Sequence, residues 1–237
     1  MECSKISSYT KNTQISDSLG LNLLLAFSGG LQDAYTYLMR GHVFANAQTG
    51  NVVLLSSHFI QKEFSAGFMY AVPLLSFALG ILFSESIHLR FKNAKKMHWR
   101  QAVLLLEIFV LFAVAFVPTR LHFVANALVS FSCALQVQAF RSVHGNAYAS
   151  TMCIGNLRGA MEALADFAKS KKHDDMHRSL FYLLVIFFFA LGSAFGAILC
   201  NHFFLRAVWG SCIILLICFF LMIDFSNNKN ITMPSNK

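Results

Sequence analysis

The chain has 237 residues, of which 56% are apolar and 13% charged, and its mean hydropathy is +0.56. Soluble domains carry about 25% charged residues, so these figures argue against one water-soluble domain and for an integral membrane protein; 3 Pro and 13 Gly argue against a disordered or collagen-like chain. The net charge of +8 sits between apolar stretches with no aromatic-interleaved basic face, which points away from nucleic acid and towards the holding of loops in the cytoplasm.

Residues 1–18 form a polar N-terminal tail with Lys5 and Lys11. No small-residue cleavage site follows a short apolar core, so the first apolar stretch is expected to stay as an uncleaved anchor. A helix needs about 20 mainly apolar residues to cross a bilayer. Six stretches qualify: 19–39, 65–88, 101–118, 121–141, 180–200 and 204–224. Two more segments are interrupted. One, 43–60, opens with Asn46-Ala47-Gln48-Thr49-Gly50-Asn51; the other, 146–168, holds Gly155, Asn156, Arg158, Glu162 and Asp166. A polar tail closes the chain at 226–237.

An internal repeat organises these stretches. Asn22, Leu24, Phe27, Ser28, Leu31 and Gln32 recur 104 positions later as Asn126, Leu128, Phe131, Ser132, Leu135 and Gln136. Gly50-Asn51 recurs as Gly155-Asn156, and Phe77-Ala78-Leu79-Gly80 as Phe189-Ala190-Leu191-Gly192. The growing offset places an insertion near Lys169–Asp175. The membrane portion therefore divides into 19–118 and 119–225.

Charge decides whether the interrupted segments cross. If they do not, 15 of the 19 basic residues share one side, leaving Arg40, Lys62, Arg120 and Arg206 on the other. If both cross, the split falls to 11 against 8. The positive-inside rule favours the first arrangement. The expected fold is an all-α polytopic membrane bundle. It has six spans in two inverted three-span repeats, each with a re-entrant or interfacial helix, and both termini in the cytoplasm of a cell whose inner membrane holds it.

Asp33 follows Gly29-Gly30 and Gln32 in the first span. A carboxylate there costs about 2.5–3.5 kcal/mol on insertion scales. It reads either as a cation- or proton-linked group in a polar cavity, or as a structural partner for segment 43–60. Gln136 and Gln138 are the polar pair of the repeat, where Val137 replaces Asp33; they suit bonding across a pseudo-twofold axis or ordinary packing. Thr49, Gly50 and Asn51, with Gly155 and Asn156, mark breaks whose amides open a half-helix towards anionic groups, or merely cap it. Arg158, Glu162 and Asp166 recur every four residues, which suits a solvated, salt-bridged face. Glu85, His88 and Glu107 are weaker candidates, Glu107 being placed to snorkel or pair. His173 and His177 are read as belonging to a solvated loop.

Gly80 with Ser84 and Gly192 with Gly196 put small residues one turn apart, suiting close helix packing within a subunit or between copies. Trp99 and Trp209 suit interfacial anchoring. Of the six cysteines, Cys133, Cys200, Cys212 and Cys218 fall in apolar spans without any CxxC, which reads as free buried thiols. Enzyme signatures such as HExxH, GxSxG, GxGxxG and GxxxxGK[ST] are absent, and neither a metal site nor a cofactor is called for.

From Gly29-Gly30-Leu31-Gln32-Asp33-Ala34-Tyr35 through Gly41, Phe44 and Asn46 to Thr49-Gly50-Asn51, the chain resembles the YoaK family of bacterial multi-pass membrane proteins. Met152-Cys153-Ile154-Gly155-Asn156 departs from the Thr-Gly pairing of the first copy. The resemblance implies an inner-membrane protein of about six helices and brings no substrate. The residues themselves favour a small-solute or ion transporter with a cavity between the halves, not an enzyme. The alternative is a non-transporting scaffold or assembly partner.

Overall fold

The computed structural model describes residues 18–91, 98–143 and 146–231; Cys3, Lys5, Lys11, Lys92, Lys95, Lys96 and Lys237 lie outside them. Eight helices follow in order: α1 (Leu19–Met39), α2 (Gln48–Ile60), α3 (Phe64–Phe91), α4 (Trp99–Val114), α5 (His122–Ala139), α6 (Cys153–Ser170), α7 (His173–Phe203) and α8 (Trp209–Ile231). A two-residue hairpin pairs β1 (Ser142–Val143) with β2 (Asn146–Ala147) between α5 and α6. Every expected apolar stretch is largely helical, whereas the two interrupted segments become helical only from Gln48 and Cys153 onward. His173 and His177 are a correction: they occupy the exposed first turns of α7, not a loop, because Asp174 and Asp175 complement that helix's positive end. α8 likewise continues past the apolar run to Ile231.

By length and apolarity, three stretches of the described residues suit a bilayer: Phe64–Phe91, Thr119–Ala139, and His173–Ile223, which contains two helices. α1 is diluted by Asn22, Gln32 and Asp33. The 16 residues of α4 rise about 24 Å, short of the roughly 30 Å hydrocarbon core. Burial is inverted relative to a water-soluble protein. Asn22, Gln32, Arg40, Glu107 and Gln136 are at most 1% exposed, whereas Leu82, Phe109, Phe116 and Phe220 are 62–71% exposed. Large apolar side chains outside and polar groups inside are stable only where the surroundings are lipid.

Helix pairing has a clear internal order. α1 packs most extensively on α7, and α3 on α5. α2 lies on α3 and α6 on α7; α4 packs on α5, α8 on α1, and α4 and α8 on each other. Exchanging α1 with α5, α2 with α6, α3 with α7 and α4 with α8 returns these pairs, whereas the smaller packing of α3 on α4 has no comparable counterpart between α7 and α8.

The contacts follow that exchange residue by residue. Gly192 lies against the Phe27 carbonyl so closely that a Cβ would overlap it, and a Cβ on Gly80 would lie 2.6 Å from the Phe131 carbonyl oxygen. Ser84 donates to the Leu135 carbonyl (3.3 Å), while a Cβ on Gly196 would sit 3.0 Å from the Leu31 carbonyl. The small-residue faces of α3 and α7 are thus consumed inside the molecule.

α1 and α5 run antiparallel. Asn126, near the start of α5, donates to the Arg40 carbonyl just past the end of α1 (2.9 Å). Tyr148, beyond the end of α5, donates to Asn22 Oδ1 near the start of α1 (2.8 Å). Cys133, Cys200, Cys212 and Cys218 are buried free thiols, and Trp99 and Trp209 begin α4 and α8.

Candidate functional site

After α1 the chain reverses through Gly41 and His42, both at positive φ (83° and 58°). It then returns along α1 in extended form. The Ala45 N–H donates to Thr36 Oγ1 (3.3 Å), the Asn46 N–H to Asp33 Oδ1 (3.2 Å), and Asn46 Nδ2 to the Gly29 carbonyl (3.4 Å). Each step lies about one turn deeper, and Gly29 is the midpoint of α1. α2 starts there and runs back outward. Gln48 secures its first turn by donating to the Ala45 carbonyl (2.7 Å) and Ser130 Oγ of α5 (3.0 Å).

The second half repeats the construction. Past the hairpin, Ser150 Oγ accepts from Gln136 Nε2 (2.6 Å) and Thr151 Oγ1 meets Cys133 Sγ (3.4 Å), so this segment descends along α5 before α6 begins. Asn156 donates to the Ala149 carbonyl (2.8 Å) as Asn51 does to the Phe44 carbonyl (3.1 Å). The Thr151 methyl packs so close to Gly29 that a Cβ there would come within 2.5 Å of it. Both interrupted segments therefore turn against the middle of α1, one through Asn46 and one through Thr151. Neither α2 nor α6 has a side-chain N-cap; in α2 the Gln48 and Gly50 amides donate instead to the Asn46 (3.2 Å) and Ala47 (3.0 Å) carbonyls.

Asp33 sits where these pieces meet and is 8% exposed. On the neighbouring residue, Gln32 Nε2 donates to Ser28 Oγ (3.2 Å) and to Glu107 Oε1 of α4 (3.4 Å). Glu107 is fully buried, and its Oε2 has no partner. Gln136 also donates to the Leu25 carbonyl (3.2 Å). A junction of α1, α4, α5 and the two returning segments thus gathers two carboxylates, several amides and hydroxyls, and two helix ends.

The predicted residues divide. Gln32, Asp33, Asn51, Gln136 and Asn156 are buried at or beside the junction. Thr49, Gly50 and Gly155 are exposed, and a Cβ on either glycine would meet nothing within 4 Å. Gln138 belongs elsewhere: it donates to Glu85 Oε2 (2.7 Å) at the edge of a polar pocket shared with His88, Arg100 and Arg141. Two residues beyond Gln136, it lies on another face at the end of α5. Arg158 and Glu162 pair on an exposed face (2.7 Å), while Asp166 instead meets Arg178 of α7 (3.5 Å).

Sequence reasoning passed over Arg40, Asn46, Ser150 and Thr151. Arg40 is fully buried. Its guanidinium donates to Tyr35 Oη (2.8 Å) and to the carbonyls of Val114 (2.8 Å) and Val117 (2.7 Å), closing the end of α4. A single basic residue at a predicted span end carries no mark of such burial. Asn46 was visible as part of the polar string, but only the fold shows which carbonyl and carboxylate it reaches.

No solved structure matches the chain. Over 198 residues it is 27% identical to the UPF0700 transmembrane protein YoaK of Bacillus subtilis (strain 168), covering 78% of this chain and 85% of that protein. The family model described as a protein of unknown function, DUF1275, matches residues 21–221. With apolar helices, lipid-suited burial and that match over most of its length, the chain is a membrane protein that belongs to the DUF1275 family.

Proposed function

We propose that this protein is a permease for a small polar solute or ion, built from two inverted three-span repeats. In this reading α1, α3, α4, α5, α7 and α8 cross the inner membrane. α2 and α6 re-enter from opposite sides, and both termini are cytoplasmic. The antiparallel course of α1 and α5, equivalent helices in the repeat, is the observation that carries it. Inverted repeats with broken helices meeting near the midplane are a recurring transporter architecture. Irregular backbone at that depth is tolerated only where protein or a polar cavity surrounds it. Asp33, Gln32, Asn46, Asn51, Gln136, Thr151 and Asn156 would frame the solute path.

The scaffold reading loses its best surface, because the small-residue faces of α3 and α7 already pack on α5 and α1. Two measurements test the proposal. Reporter fusions after residues 62, 95, 120 and 172 should read outside, inside, outside and inside; residue 95 reading outside sinks the inverted repeat. Uptake or efflux of a metabolite panel is compared in wild type, Asp33→Asn and a deletion strain. Identical behaviour of wild type and deletion across the panel removes the permease reading.

A further inference from the structure

Glu107 has no role in the solute path just described. It projects from α4, is wholly buried, and has one hydrogen bond, a long 3.4 Å contact from Gln32 Nε2. Its Oε2 is unpartnered, and so is Gln32 Oε1 beside it. An ionised carboxylate accepts at about four lone-pair sites, and a buried one needs donors or a cation to occupy them. The groups around it do not supply these. From α1 come Gln32 and, next in the chain, Asp33. From α5 comes the Cys133 thiol, and from α8 come the Cys212 and Cys218 thiols. None of these is a cation, and among the described residues no Lys, Arg or His forms an ion pair with Glu107.

We propose that Glu107 is a proton-binding site, with Gln32 as its positioning residue between the carboxyl and the solute path. The neutral acid fits this geometry, and the ionised acid does not. A protonated carboxyl keeps the bond from Gln32 Nε2 at Oε1 and donates an Oε2–H to the Gln32 amide oxygen, an acid–amide pair that gives both unpartnered oxygens a partner. The proton enters as a hydron on a Glu107 oxygen and leaves the same way, so the site changes by one charge per cycle. Gln32 lies one residue before Asp33 and shares α1 with it, which links the acid to the junction. This inference rests on the permease reading for its purpose, since an exchangeable proton beside a solute path is how such a path is coupled to a proton gradient.

The test is labelling of the intact protein in lipid vesicles with dicyclohexylcarbodiimide, an apolar reagent that attacks protonated buried carboxyls, followed by peptide mass mapping. Adduct is expected on Glu107 and falls as the pH is raised, because only the protonated acid reacts. It is lost in Glu107→Gln and kept in Glu107→Asp; circular dichroism confirms that the variants fold. No adduct on Glu107 in wild type, or adduct that does not change with pH, overturns the proposal. The two readings separate cleanly. Labelling that follows pH without any transport in the metabolite panel keeps the proton site and removes the permease. Transport without labelling of Glu107 does the reverse.

Discussion

The Asn46 N–H donates to Asp33 Oδ1 at 3.2 Å, so a chain that left α1 at Arg40 is fastened back to it two turns deeper. Thr36 and Gly29 hold it on either side. The carboxylate therefore does structural work that is separable from any role in the solute path. Asp33→Asn keeps an oxygen for the Asn46 amide and should fold with near-wild-type thermal stability in detergent. Asp33→Leu strands a buried N–H and should cost about 1–3 kcal/mol. Equal melting temperatures for the two variants would contradict the fastening.

The paired glycines make a sharper demand. Gly192→Ala drives a methyl into the Phe27 carbonyl, and Gly80→Ala drives one to 2.6 Å from the Phe131 carbonyl. These are backbone atoms, so relief requires α7 to move from α1, or α3 from α5. Each change should destabilise by about 1–3 kcal/mol, outweighing the gain of up to about 1 kcal/mol in helix propensity. Gly50→Ala and Gly155→Ala meet open space and should be neutral or mildly stabilising. Thermal unfolding of the four variants in one detergent compares them directly.

The helices were legible because apolar runs of spanning length leave few alternatives, and Phe27, Gly80 and their counterparts stand out because they recur along the sequence. Those same residues prove to be the places of closest helix approach, where a larger residue has no room. The depth of the two returning segments was harder to read. It is set by bonds from Asn46 to the Gly29 carbonyl and from Gln136 to Ser150 Oγ, between residues whose adjacency no local pattern records. Gln138 misled for a similar reason. Two positions along a helix turn a side chain through about 200°, so a neighbour of Gln136 in sequence need not share its face.

Asn51 and Asn156 offer a test of equivalence between the halves. Each donates to a carbonyl seven residues earlier, Phe44 and Ala149 respectively, closing the turn from the extended segment into its helix. Asn156→Ala should cost about 0.5–1.5 kcal/mol, the net worth of one such bond, and Asn51→Ala, which also loses the bond to Gln48 Oε1 (3.2 Å), about twice that. The two losses should add in the double variant, because the sites share no partner. Strong non-additivity in thermal unfolding would mean that the turns are coupled through the junction.

Arg40 gives the largest expected effect of any basic residue outside the junction. Its guanidinium reaches Tyr35, Val114 and Val117 at once, and the negative end of α4 supplies the charge complement that no carboxylate provides there. A planar fork spans those acceptors; an ammonium does not. Arg40→Lys should therefore lose most of the stabilisation despite keeping the charge, costing about 1.5–3 kcal/mol per charged bond removed before relaxation. Arg40→Met, which also removes the buried charge, should be no worse than the lysine variant and better if the charge itself is costly. Arg120→Lys, at an exposed position on the neighbouring turn, should leave stability unchanged. If Arg40→Lys unfolds at the wild-type temperature, the arginine is placed for its charge alone and its three-acceptor fork is not what holds it.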